Sequence, residues 1–111
     1  MLLPFKSGKK TGTTTAAYVE AVRVDTRGCG PQGKFLALIK NVHASNTMYY
    51  KIDGYVNEDP DCLPVAIKAE TSIAGAAVVT QTDVDKNYAA VVISVVKNSD
   101  VGAYRIDWTT Y

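Results

Sequence analysis

Apolar and polar residues alternate with a period of two along most of this chain, and glycine, proline, asparagine and aspartate cut the alternation into short runs. The clearest run is Thr47 to Asn57. Met48, Tyr50, Ile52 and Val56 take one face, and Tyr49, Lys51, Asp53, Tyr55 and Asn57 take the other. Gly54 interrupts it, which predicts a bulge or the close approach of another backbone. Leu63 to Thr71 alternates again, with Val65, Ile67 and Ala69 inward, Lys68 and Glu70 outward, and Pro64 at its start. Ala16 to Asp25 is a further strand. So is Ala103 to Tyr111, with Tyr104, Ile106 and Trp108 on one face and Arg105 and Asp107 on the other. Lys34 to Val42 carries Phe35, Leu36, Leu38 and Ile39 on both faces, the pattern of a central strand covered on two sides. Tyr88 to Lys97 is almost continuously apolar and β-branched, and reads as the deepest strand. Ser72 to Thr82 is small and apolar, and reads as a short strand or a crossing loop.

Short strands separated by turn chemistry, with no stretch of helical period, predict an all-β chain: a single antiparallel β-sandwich, jelly-roll or Ig-like, of six to eight strands. Parallel βαβ units are excluded by the missing helices. Residues 1–15 stand apart. The apolar head Met1-Leu2-Leu3-Pro4-Phe5 runs into Lys6-Ser7-Gly8-Lys9-Lys10-Thr11-Gly12-Thr13-Thr14-Thr15, which has no acid and nothing to bury. The organisation expected is an extended, flexible N-terminal arm over residues 1–15 and a sandwich domain over residues 16–111. Leu2, Leu3 and Phe5 lie too far from the domain to be needed in its core. Docked on a neighbour, each would contribute roughly 1.5–3 kcal/mol before ordering costs. Lys6, Lys9 and Lys10 would steer the arm to an acidic surface. The other readings are a disordered terminus, or an arm that folds back and adds a strand to its own sheet. Tyr49 and Tyr55 point away from the core face, so they serve an interface or are covered by another part of the same domain.

Composition changes this picture little. Hydrophobic residues at 47% and charged residues at 21% suit a folded globular chain. A net charge of +1 gives no global field, and Asp53 and Asn57 beside the tyrosines have the wrong sign for a nucleic-acid surface. The head is too short, and Pro4 breaks it, so it is no signal peptide; no run is long enough to cross a bilayer. Neither nucleic acid nor membrane is expected as a partner.

Candidate chemistry is thin. A single histidine, His43, builds no relay by itself. Cys29 and Cys62 sit in loop contexts; paired, they would close a loop worth roughly 3–4 kcal/mol, and the plain reading is two reduced thiols. Asp83, Asp85 and Asn87 match the first ligand positions of a calcium loop, but the match fails at Tyr88 and Ser94. Gly28, Gly30 and Gly33 are followed by a strand, so no helix dipole awaits a phosphate. Glu20, Glu70 and Asp107 read as members of cross-strand charge pairs. No catalytic, cofactor or metal residue is assigned, and no enzyme activity is expected.

The run from Leu2 to Lys10, followed by short β-branched strands, resembles the accessory capsid proteins of tailed bacteriophages, the decoration, cement or staple proteins of podovirus type. The resemblance spans the chain by layout, without a diagnostic motif. It implies a jelly-roll-like module on the capsid exterior of a virion, made in the host cytoplasm without a signal peptide. It also implies two partners: the major capsid protein, and a second copy of the chain in a symmetric dimer or small oligomer. The competing function is a carbohydrate- or receptor-binding sandwich that uses Tyr49, Tyr55 and nearby loops. A small enzyme would require His43 beside Cys29, Cys62 or an acidic pair.

Overall fold

A computed structural model of the chain describes residues 6–27, 34–84, 88–98 and 100–111. The strands in order are β1 (Ser7–Thr13), β2 (Val19–Val24), β3 (Phe35–Asn41), β4 (Met48–Tyr55), β5 (Val65–Ile73), β6 (Val78–Val84), β7 (Ala90–Lys97) and β8 (Ala103–Thr110). They pair antiparallel in two four-stranded sheets, ordered β1-β8-β3-β6 and β2-β7-β4-β5. Apart from the β4–β5 hairpin, each connection carries the chain to the opposite sheet. This is the double Greek key of a jelly roll, so the expected β-sandwich is found and its topology is fixed.

The core follows the alternation. Phe35, Ala37 and Ile39 of β3 and Tyr104 and Ile106 of β8 face Met48, Tyr50 and Ile52 of β4 and Val91, Ile93 and Val95 of β7. The Phe35 ring stacks on Trp108 with centroids 6.0 Å apart. Strand β7 is buried on both sides. Val92 lies between Arg23 and Asp53, and Ser94 between Glu20 and Lys51, so long side chains of β2 and β4 cover its outer face.

Several expectations change. Strand β3 is central but not covered on two sides: Leu38 is 41% exposed, because no layer packs over that face. Strand β5 is an edge strand with two register shifts against β4, and this leaves Val65 and Ala69 exposed while Ile67 and Ile73 reach the core. Val56 lies past the end of β4 and is exposed. Gly54 does accept a close approach, but from a ring: a Cβ there would stand 2.7 Å from Cε1 of Tyr88.

The largest change concerns the arm. From Ser7 to Thr13 it is no free tether but β1, paired residue for residue with β8 from Ser7↔Thr109 to Thr13↔Ala103. Of the readings open in the sequence, the structure shows the one in which the arm adds a strand to its own sheet. Two buried threonines clamp it. The Lys6 N–H donates to Thr110 Oγ1 at 2.8 Å and the Thr110 N–H returns to the Lys6 carbonyl at 2.8 Å. At the other end the Thr14 N–H donates to the Gly102 carbonyl at 2.9 Å, and the Gly102 N–H to Thr14 Oγ1 at 3.0 Å. Leu2, Leu3 and Phe5 lie outside the described residues, as do Cys29, the glycines at 28, 30 and 33, and the 85–87 part of the calcium-like motif.

Candidate partner-binding surfaces

Register decides which side chains share a face. On β1, Gly8, Lys10 and Gly12 stand opposite Trp108, Ile106 and Tyr104, and Ser7, Lys9, Thr11 and Thr13 are on the outer side. Lys10 thus occupies an inner-face position on an edge strand yet is exposed, a device that discourages edge-to-edge pairing. Lys9 stands opposite Asp107, and Lys6 reaches the Asp25 carbonyl with Nζ at 3.3 Å. The lysines therefore belong to the body of the fold.

The outer face of the β1-β8-β3-β6 sheet gathers Lys9, Arg105 and Lys40 beside exposed Leu38 and Val78, with Val42 exposed just past the end of β3. Asp107 is its acid. Arg105 grips that carboxylate with Nε at 2.8 Å and Nη2 at 3.0 Å and holds its pKa below the usual range. A shallow hollow of about 180 Å³ opens here between Leu36, Leu38, Asp107, Trp108 and Thr109. Across the sheet one row runs Thr11, Arg105, Lys40 and Val78 and the next Lys9, Asp107, Leu38 and Thr80, so three basic side chains lie beside one acid and two apolar groups. Sequence reading missed it because Lys40, Leu38 and Arg105 come together only through the β3–β8 register.

The outer face of the other sheet holds the two predicted tyrosines. Tyr49 lies opposite Val96 and Tyr55 opposite Ala90, both half-buried. They sit at the two ends of β4, with Lys51 and Asp53 between them 3.9 Å apart. Tyr18, which the sequence did not single out, joins this row. Lys51 Nζ lies 4.6 Å from its ring centroid, and its hydroxyl donates to Glu70. The Arg23 guanidinium lies 5.3 Å from the Tyr55 centroid and binds Glu20 at 2.8 Å. Glu20 and Asp107 thus pair along their own strands, and Glu70 with a tyrosine, rather than in the cross-strand ion pairs expected. In β2 the register shift between Glu20 and Val22 is what returns Arg23 to the face of Glu20.

Burial raises the pKa of Tyr18, with Glu70 adding to it, and burial also raises those of Tyr50 and Tyr104. The unfolded chain releases these protons near pH 10, before the folded chain does. Their contribution to stability is therefore complete below about pH 10 and is lost as pH rises beyond it. Denaturant midpoints measured from about pH 8 to 11.5 should fall steeply above 10, and Glu70→Gln should bring the ionisation of Tyr18, read by ultraviolet absorbance, to lower pH.

Cys62 is a free thiol whose Sγ lies 3.6 Å from the Leu63 carbonyl. Nδ1 of His43 accepts the N–H groups of Ser45 at 3.1 Å and Asn46 at 2.9 Å, so the ring pins its own loop.

No protein-family model and no curated protein sequence matches the chain. Solved structures do match in fold. A protein of the disulfide-linked pili that form Bacillus endospore appendages superposes with a TM-score of 0.59 at 7% identity, over 98% of this chain and 88% of that one. PirA gives 0.62 at 12% identity, over 90% and 92%. The Yersinia pseudotuberculosis-derived mitogen gives 0.58 at 16% identity, over 96% and 86%. These likenesses establish the β-sandwich architecture.

Proposed function

We propose that this chain is a non-enzymatic structural protein of a virion, binding the outer surface of a tailed-phage capsid and reinforcing contacts between major capsid subunits. The observation that carries the reading is the outer face of β1-β8-β3-β6, where Lys9, Lys40 and Arg105 share the sheet with exposed Leu38 and Val78 and with Asp107 as the acid. Such a face suits an acidic protein surface with apolar groups of its own. The basic charges steer the approach and the apolar groups, once buried, supply affinity. Many copies on one lattice turn a modest contact into a durable one. The resemblance of the chain's layout to accessory capsid proteins suggests this reading, and the pilus protein of like fold is a precedent for this sandwich in a repeated surface assembly.

Sucrose-gradient co-sedimentation tests it. The chain should migrate with purified phage shells, and Lys40→Glu combined with Leu38→Asp should leave it at the top of the gradient. Both positions are exposed, and a circular-dichroism spectrum matching the wild type's checks that the variant keeps its fold. Wild-type protein found only in the free fraction overturns the proposal.

A further inference from the structure

At the end of β4 a second recess of about 320 Å³ is lined by Arg23, Tyr55, Asn57, Glu58, Asp59 and Pro60. We propose that it binds a neutral polyhydroxyl ligand, a sugar ring of a glycan. This site is separate from the basic face and does not depend on the shell-binding reading.

The chemistry of the lining decides the ligand class. Arg23 offers donors, Glu58 and Asp59 acceptors, and Asn57 both, which matches hydroxyl groups that donate and accept at once. Tyr55 and Pro60 add the apolar surface that the C–H groups of a sugar need. Two carboxylates in the lining disfavour a phosphate or sulfate, and the Arg23 guanidinium beside them disfavours a cation. Among the described residues no group of three or more metal-ligating side chains occurs. The recess is too polar to retain an apolar ligand.

The site is also held in shape before any ligand arrives. Asn57 Oδ1 accepts the Asp59 N–H at 3.0 Å, Asp59 Oδ1 accepts the Asp61 N–H at 2.8 Å, and the Asp59 carbonyl accepts the Cys62 N–H at 2.9 Å. These nested turns, with Pro60 inside them, fix the 57–62 loop. Arg23 is held from the other side by Glu20, with Nε at 2.9 Å, and by the Tyr55 ring. A loop already ordered loses little entropy on binding, which favours a small, weakly bound ligand. Glu58 and Asp59 both line the recess, and the Glu58 carboxylate acts by charge on Arg23 across it.

The test is binding of the full chain to an array of immobilised oligosaccharides, with neutral hexose and N-acetylhexosamine termini in one arm and sialylated termini in the other. Neutral members should bind, with little change between low salt and about 0.5 M salt, where exposed charge pairs are screened. Glu58→Ala should weaken binding about tenfold or more through loss of charge-assisted hydrogen bonds. Asp59→Asn, which keeps the turn oxygen, should weaken it less, and both variants should melt with the wild type. Binding to no glycan, binding to sialylated members alone, or binding unchanged in both variants overturns the proposal. Retention of the Glu58→Ala variant on phage shells would leave the shell-binding reading untouched.

Discussion

Deletion of residues 1–13 is expected to destabilise the domain by about 3–5 kcal/mol, the effect of uncovering two large aromatic side chains. A flexible tether would come off without loss. Strand β1 is different: it buries no large side chain of its own and acts as a lid of backbone. Gly8 and Gly12 let the neighbouring rings lie directly on the strand, since a Cβ would stand 2.9 Å from Cζ2 of Trp108 at the first and 2.6 Å from the Tyr104 hydroxyl at the second. Without β1, Tyr104, Trp108 and the flank of Ile106 meet water, and Thr110 loses the Lys6 backbone that binds it, while Thr14 keeps its bonds to Gly102. Domains of this size are stable by about 5–15 kcal/mol, so such a loss takes a large share. Urea unfolding of the full and truncated chains measures it directly. Equal midpoints would mean that β1 is dispensable. Strand β8 would also become a bare edge, and the truncated chain should aggregate at concentrations where the full chain stays dispersed.

The same strand shows why part of the fold was hidden in the sequence. Alternation reveals a strand only when its inner positions carry apolar side chains, as Met48, Tyr50 and Ile52 do in β4. The inner positions of β1 are Gly8, Lys10 and Gly12, so its hydrophobic signal sits on the partner strand, in Tyr104 and Trp108. Gly54 is a smaller instance, where the ring that fills its place comes from Tyr88 in another loop. The candidate sites divide in the same way. Tyr49 and Tyr55 were legible as outward residues of one strand. The Tyr18–Glu70 contact spans 52 residues, and the Lys9–Arg105–Lys40 face crosses three strands, so both depend on topology that no local pattern encodes.

Exchanging residue types within the β5–β6 turn should give effects of opposite sign. The turn runs Ala74-Gly75-Ala76-Ala77 and closes with the Ala77 N–H donating to the Ala74 carbonyl at 3.1 Å. Ala76 has a φ of 62°, the conformation for which a type II turn requires glycine at its second central residue. Glycine instead stands one position earlier. The reason is crowding: a Cβ on Gly75 would lie 2.7 Å from the backbone N, Cα and C of Ser45. That backbone cannot swing aside. Ser45 donates to His43 Nδ1 at 3.1 Å, the His43 carbonyl accepts the Ala76 N–H at 2.8 Å, and buried Asn41 ties the loop inward through Asn46 and Ile73. Gly75→Ala should therefore destabilise by about 2–3 kcal/mol, the scale of an overpacked site that cannot relax. Ala76→Gly removes the left-handed penalty of about 1–2 kcal/mol and gives part of it back in unfolded-chain entropy, for a net gain of about 0.5–1 kcal/mol. Thermal melts of the two single variants decide the matter. If Gly75→Ala melts with the wild type, the crowding argument at Ser45 fails, and if Ala76→Gly lowers the melting temperature, the argument from its left-handed backbone fails.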